Sequence, residues 1–365
     1  MPEKYVNIVN AGGVTKLDLS ADTVTPETLG YGATAHNSAG APIVGTAGFI
    51  TVDDELSLTS ENPAQNKVIT AAIQNALDEN ETAAKLIDRI YQGVDLTVKF
   101  AAEIANYSDE WAWIKARITA GNFTGIHIGD IIPVTMTNGF TFNAQVAGIN
   151  TYKSYGDTAV GDHIDFISKE IYSSLHPINK TDYNNGTAAQ QFPWLASDMY
   201  HWLNSLSGDV PNGSGADPAT VTVDYTSDGV YNYLPAALKA AIIEKRIMSP
   251  VRYSANTLLN DDNSWGWINI GKLWLPDEIE VCGRPMWGGK SGYSIGSGVQ
   301  YPIFANNMNR IKLNGGGRGN WWLLMPSSGN SSLWCHVHSN GQCDNYFTSA
   351  LWIGVPICFR VGAAS

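Results

Sequence analysis

The sequence predicts an α+β protein, on three observations. Two stretches, 192–206 and 234–247, carry apolar residues at helical spacing, with Phe192, Leu195, Met199, Trp202, Leu203 and Leu206 on one face of the first. The apolar runs around them are short and bounded by Gly, Pro or Asn, the pattern of strands paired by turns or across long separations, and nothing alternates as strand, helix, strand. Twelve Trp and sixteen Tyr, almost all from Tyr107 onward, suit a loop-rich domain in which buried rings hydrogen-bond irregular backbone.

Composition bounds the rest. A hydrophobic content of 44% over 365 residues allows a sizeable core. A net charge of −12 and a pI near 4.9, with no Lys/Arg cluster, exclude nucleic acid as a partner, because phosphate binding needs a basic surface. No charged-then-apolar leader opens the chain, and no apolar run approaches the roughly twenty residues that span a bilayer. The expectation is a soluble protein made in a bacterial cytoplasm, without membrane insertion. The four cysteines, Cys282, Cys335, Cys343 and Cys358, include no CxxC pair. Cys282 and Cys358 read as core thiols on strands, and no structural disulfide is expected.

Taken in order, residues 1–50 mix Gly and Thr with small apolar patches, so a β-rich segment of short strands and turns is expected. It is too small to bury much area alone and is expected to dock on other chains. Its run from Asp22 to Leu29, followed by Gly30-Tyr31, Ala35-His36-Asn37 and Gly45-Thr46, resembles a module of gut-phage structural proteins. Residues 52–69 are similar to a tail-fibre linker that leads into a helix, and together these resemblances imply a virion part. From 67 to 94, Ile73, Asn80, Ile87 and Val94 recur every seven residues, with Ile69, Ala76, Ala83 and Ile90 on the complementary positions. That seam predicts a coiled-coil stalk within 51–95, with Asn80 fixing register and Ile at both seam positions favouring a homotrimer.

Residues 96–365 read as one globular domain. A helix is predicted over 107–118 with Ser108 as N-cap, then strands over 129–136 and 141–149 joined by an Asn138-Gly139 turn, then a strand over 163–168. Ser207-Gly208 ends the first of the two main helices, 208–229 reads as an exposed polar loop, and Pro235 opens the second helix. Residues 272–276 and 278–283 return to strand.

The last stretch, 315–361, has two textures. Residues 321–326 and 353–361 read as buried strands of one sheet, while 327–349 is dominated by small polar residues with aromatics interleaved, the composition of a binding surface. Stiff strands around a permissive insert are how such surfaces are built. The candidate contact residues are Asn330, Ser331, Ser332, Trp334, His336, His338, Asn340, Gln342, Asp344, Asn345, Tyr346, Phe347 and Thr348, with Trp334, Tyr346 and Phe347 as anchors.

Trp321-Trp322-Leu323 before the insert, and Gly354-Val355-Pro356 to Phe359-Arg360-Val361 after it, resemble the C-terminal half of a C-type-lectin-like domain of the formylglycine-generating-enzyme type. The resemblance is to the version found in phage tail proteins and in variable proteins diversified by retroelements. Gly129-Asp130, Tyr200-His201-Trp202-Leu203-Asn204 and Lys272-Leu273-Trp274-Leu275-Pro276 look like further landmarks of that family. It implies a lectin-like head over 96–365 with a variable region at about 315–361, where codon rewriting exchanges the contact residues.

Other chemistry finds little support. In Cys335-His336-Val337-His338 a strand would put the two histidines on one face and Cys335 on the other, and the spacing matches no zinc site. Asp261-Asp262-Asn263 lacks the further ligands of a calcium loop, and the Gly-rich pieces at 288–292 and 315–319 lack the strand–loop–helix setting of a phosphate loop. No cofactor or metal is expected. The expected function is that of a phage tail receptor-binding protein in the virion, contacting a host cell-surface protein or glycan through its C-terminal insert and other tail proteins through its N-terminus. The alternatives are a structural tail-fibre component and an enzyme acting on a surface polymer.

Overall fold

Short strands joined by turns dominate the computed structural model, which describes residues 8–12, 14–19, 21–48, 68–76, 93–153, 160–214, 218–253, 265–288 and 298–363. The chain divides into two units, Met1–Asp88 and Arg89–Ser365. The first holds two antiparallel pairs, β1 (Ile8–Ala11) with β2 (Val14–Asp18) and β3 (Thr34–His36) with β4 (Pro42–Val44). Residues 68–76 are helical, with Ile69 and Ile73 exposed. The seam positions from Asn80 to Ile90, and the linker that precedes the helix, lie outside the described residues.

The second unit is mixed α+β. Its strands are β5 (Ile131–Thr135), β6 (Thr141–Ile149), β7 (His163–Ile171), β8 (Ser207–Pro211), β9 (Thr220–Asp224), β10 (Ile242–Ile243), β11 (Arg246–Pro250) and β12 (Trp265–Asn269). There follow β13 (Leu273–Trp274), β14 (Lys312–Asn314), β15 (Gly317–Gly319), β16 (Trp321–Pro326), β17 (Leu333–Val337), β18 (Cys343–Phe347) and β19 (Pro356–Gly362). The main sheet is built on β7, which pairs antiparallel with β6 and with the last strand, β19; β5 extends it through β6, and β10 and β13 pair with β19. The β5–β6 turn forms at Asn138-Gly139 as its residues require, with Gly139 at φ 87°.

Its apolar side stacks Phe166 on Phe359 at 5.3 Å and sets Trp111, from the helix Glu110–Thr119, edge-on to both. A buried polar network ties the pieces together. Arg360 on β19 donates to Asp165 on β7 at 2.7 and 2.9 Å, and Tyr301 donates to the same carboxylate. Lys245 pairs with Glu280, which also accepts from Tyr152, and its ammonium lies 3.8 Å from the Trp274 ring centre. The Arg360 guanidinium beside Asp165 outweighs burial and holds that carboxyl down at about 2.

Several local expectations are corrected. The helix predicted over 107–118 starts at Glu110, because the Asp109 carboxylate caps it by accepting from the Ala112 N–H at 2.7 Å, while Ser108 donates to Asp109. The stretch 192–206 breaks into Pro193–Ala196 and Asp198–Asn204, since Ser197 turns extended and caps the second helix. Helix stops at Ala241, where Ile242 and Ile243 find an edge on β19, and 208–229 holds the β8–β9 hairpin where a loop was expected. Glu278–Cys282 is a helix and not a strand. Asp277 and Glu280 form a capping box and Gly283 closes it at φ 75°, signals that override the alternation of Ile279 and Val281. Finally, 321–326 and 353–361 do not share one sheet: β16 belongs to a three-stranded sheet, β16-β17-β18, joined to the frame by a parallel bridge from Trp321 to Gly354. Gly354 lies so close to Ile171 that a Cβ would collide with it.

Candidate functional site

The antiparallel register of β17 and β18 sorts the polar insert into two faces, because directly opposed residues project to the same side. Trp334 opposes Tyr346 and His336 opposes Asp344; Cys335 opposes Asn345 and Val337 opposes Cys343. The second face is fastened to the frame. Cys343 forms a disulfide with Cys282 at the end of the helix Glu278–Cys282, across 61 residues of sequence. The expectation of no disulfide, with Cys282 on a strand, is therefore corrected: the partners are brought together by a helix end and a strand start, which spacing along the chain does not reveal. Trp287 adds a hydrogen bond from its indole N–H to the Cys343 carbonyl at 3.3 Å. Cys335 is a buried thiol whose pKa is pushed well up by burial and the neighbouring Glu278, and Cys358 is buried on β19 as expected.

On the other face the candidates part company. Trp334 is 0% exposed and donates its indole N–H to the Leu323 carbonyl at 2.7 Å, so it anchors the small sheet and offers no contact surface. Its breadth and its single polar atom make it a core residue where a backbone acceptor lies in reach. Thr348 is also buried. Its hydroxyl donates to the Thr181 carbonyl at 2.8 Å and accepts the Tyr183 N–H at 2.9 Å, a clamp in place of the expected contact. His336 lies beneath the surface, with the rings of Trp322, Tyr346 and Trp352 arranged edge-on at 6.1, 6.4 and 6.3 Å. Burial lowers its pKa to about 4 against the opposing pull of Asp344.

What remains outside is an aromatic cluster. Tyr346 and Phe347 are exposed, as their candidate role requires, and they are joined by Leu351 and Trp352, at 63% and 47% exposure. The Tyr346 and Trp352 ring centres are 4.7 Å apart, and those of Tyr346 and Phe347 5.5 Å, both near perpendicular. Asn330, Asn340 and Gln342 are exposed, and Ser331, Ser332, His338, Asp344 and Asn345 partly so. Sequence reasoning missed Leu351 and Trp352, which sit between the polar insert and the buried strand and look like the strand's approach.

The main chain of the insert is held from outside it. The Asn184 side-chain amide donates to the carbonyls of Asn330 and Leu333 at 2.7 and 2.5 Å, and its backbone N–H donates to Ser331 at 2.9 Å. Asp182 accepts from the Ser349 N–H and hydroxyl at 3.1 and 2.6 Å. Residues 179–184 thus grip both ends of the insert and hold its backbone. No periodicity or motif marks Asn184 or Asp182, since Asn184 acts on carbonyls 146 and 149 residues away in sequence and Asp182 on the Ser349 N–H and hydroxyl 167 residues away.

Elsewhere in the second unit a cavity of about 890 Å³ opens between the loop around Gln190, the helix Asp198–Asn204 and the β8–β9 hairpin. Among the described residues Asp209 is its one lining carboxylate, and it accepts a hydrogen bond from Thr222. No second carboxylate, which glycoside hydrolysis needs, lines it among the described residues. Among the described residues no group of three or more His, Cys, Asp and Glu is placed to hold a metal, and no helix is long and apolar enough to cross a membrane.

Residues 165–361 match the family described as a domain of unknown function, DUF6273. The chain belongs to this family. The DUF6273 match begins on β7 and ends on β19, so it takes in the buried Asp165–Arg360 pair, the clamp at 179–184 and the whole aromatic face. No curated protein and no solved structure matches the chain.

Proposed function

We propose that this DUF6273 chain is the receptor-binding protein of a phage tail. In this reading residues 1–50 attach to other tail proteins, 51–95 assemble a three-stranded coiled coil, and 96–365 form a C-type-lectin-like head that contacts a host-surface ligand. The observation that carries it is the exposed cluster of Tyr346, Phe347, Leu351 and Trp352 on a backbone pinned from outside. Large rings exposed together on a soluble surface are uncommon and mark interaction sites. A disulfide and a buried clamp beneath them keep the backbone in place, so exchange of the outward residues by a retroelement would leave the fold intact. Three heads on one stalk would add their weak affinities through effective concentration.

The test is a combined Tyr346→Ala, Phe347→Ala and Trp352→Ala variant displayed on the virion. Adsorption to host cells is expected to fall at least tenfold, with the melting temperature of the head little changed, since each ring is substantially exposed. Adsorption at the wild-type level would remove the reading and favour a purely structural tail component.

A further inference from the structure

The aromatic cluster covers a buried polar group that the fold leaves unsatisfied. His336 is 1% exposed, and neither its Nδ1 nor its Nε2 has a hydrogen-bond partner. Buried polar atoms are nearly always paired, because an unpaired one forfeits its hydration without replacement. Tyr346 and Trp352, whose ring centres lie 6.4 and 6.3 Å from the imidazole, roof it, and both are themselves exposed. Exposed side chains change rotamer on the picosecond-to-nanosecond timescale, so the imidazole is one ring movement from a ligand.

We propose that the ligand of this face is a neutral saccharide, with a sugar ring packed against Tyr346 and Trp352 and one of its hydroxyls hydrogen-bonded to His336. The proposal rests on the receptor-binding reading and names the class of ligand. A neutral imidazole offers one donor and one acceptor, and a hydroxyl can meet either, whereas an apolar side chain of a protein partner meets neither. The faces of Tyr346 and Trp352 suit the C–H faces of a sugar, and the exposed amides of Asn340 and Gln342 can read further hydroxyls. Charge narrows the class. Asp344 is the one Asp, Glu, Lys or Arg between residues 327 and 352, so the face complements neither sialylated nor sulfated chains.

The test probes the intact protein on a printed array of neutral oligosaccharides beside sialylated and sulfated counterparts, then titrates the tightest neutral binder by calorimetry. His336→Leu removes both unpaired nitrogens. It is expected to bind that sugar about tenfold more weakly while melting no lower than wild type, a pairing of effects that a purely structural histidine would not give. His336→Gln keeps an amide donor and acceptor and is expected to recover part of the affinity. Unchanged sugar affinity in His336→Leu, or a lowered melting temperature with no recovery in His336→Gln, overturns the role of His336. Binding only to sialylated or sulfated chains, or to no glycan while virions still adsorb through the aromatic cluster, overturns the saccharide and leaves the receptor-binding reading in place.

Discussion

Trp334 and Tyr346 face each other across β17 and β18, and their fates differ because of what lies behind each ring. Trp334 finds the Leu323 carbonyl and the main core; Tyr346 meets Trp352, Phe347 and the edge of His336 and stays exposed. Both are aromatic residues in a polar stretch, so composition treats them alike. Substitution separates them. Trp334→Ala is expected to lower unfolding free energy by about 3–5 kcal/mol, whereas Tyr346→Ala should cost about 1 kcal/mol or less and act on adsorption instead. Urea denaturation of the two variants checks this; a Trp334→Ala protein as stable as wild type would mean that the indole is not a core anchor.

At the scale of elements, the small sheet β16-β17-β18 depends on attachments more than on its own area. It is held by the Cys282–Cys343 disulfide, by the bridge from Trp321 to Gly354, by hydrogen bonds donated by Tyr183 and Asn184, and by one that Asp182 accepts from Ser349. β16 and nearly all of β17 are buried on both faces and only the end of β18 reaches solvent, so the attachments of these strands to the frame decide whether the aromatic cluster is preorganised. Closing a loop of 61 residues restricts the unfolded chain, and Cys343→Ser is expected to lose about 2–4 kcal/mol. Reductant should lower the denaturation midpoint of the wild type to that of the variant and leave the variant itself unmoved. A wild-type midpoint indifferent to reductant would show that the bond contributes nothing.

For the molecule as a whole, the unit boundary at Asp88 and Arg89 offers a direct test of the stalk. Full-length chain is expected to sediment as a trimer and residues 89–365 as a monomer, because the Ile seam lies almost entirely in the first unit. A monomeric full chain would remove the stalk, and with it the gain from joined heads. Much of the architecture was legible beforehand where a local rule was strong: the Asn138-Gly139 turn, the apolar run of β16, and the absence of strand–helix alternation all follow from side-chain period and turn chemistry. The capping box at Asp277 and Glu280 is a local signal of the same kind, and it outweighs the alternation of Ile279 and Val281 that predicts a strand.

By itself the sequence determined the α+β class, the location of the polar insert between two buried strands, and which types of side chain it could offer, since these depend on pattern and composition within a short window. Only the tertiary structure decided which of those side chains face water. It buried Trp334 and Thr348, brought Leu351 and Trp352 out beside Tyr346, joined Cys282 to Cys343 and set Asn184 against the insert. The reason is physical: burial and pairing depend on which surfaces meet after the chain has closed contacts across 61 residues at the disulfide and 146 at Asn184, and a short window of sequence does not contain both partners.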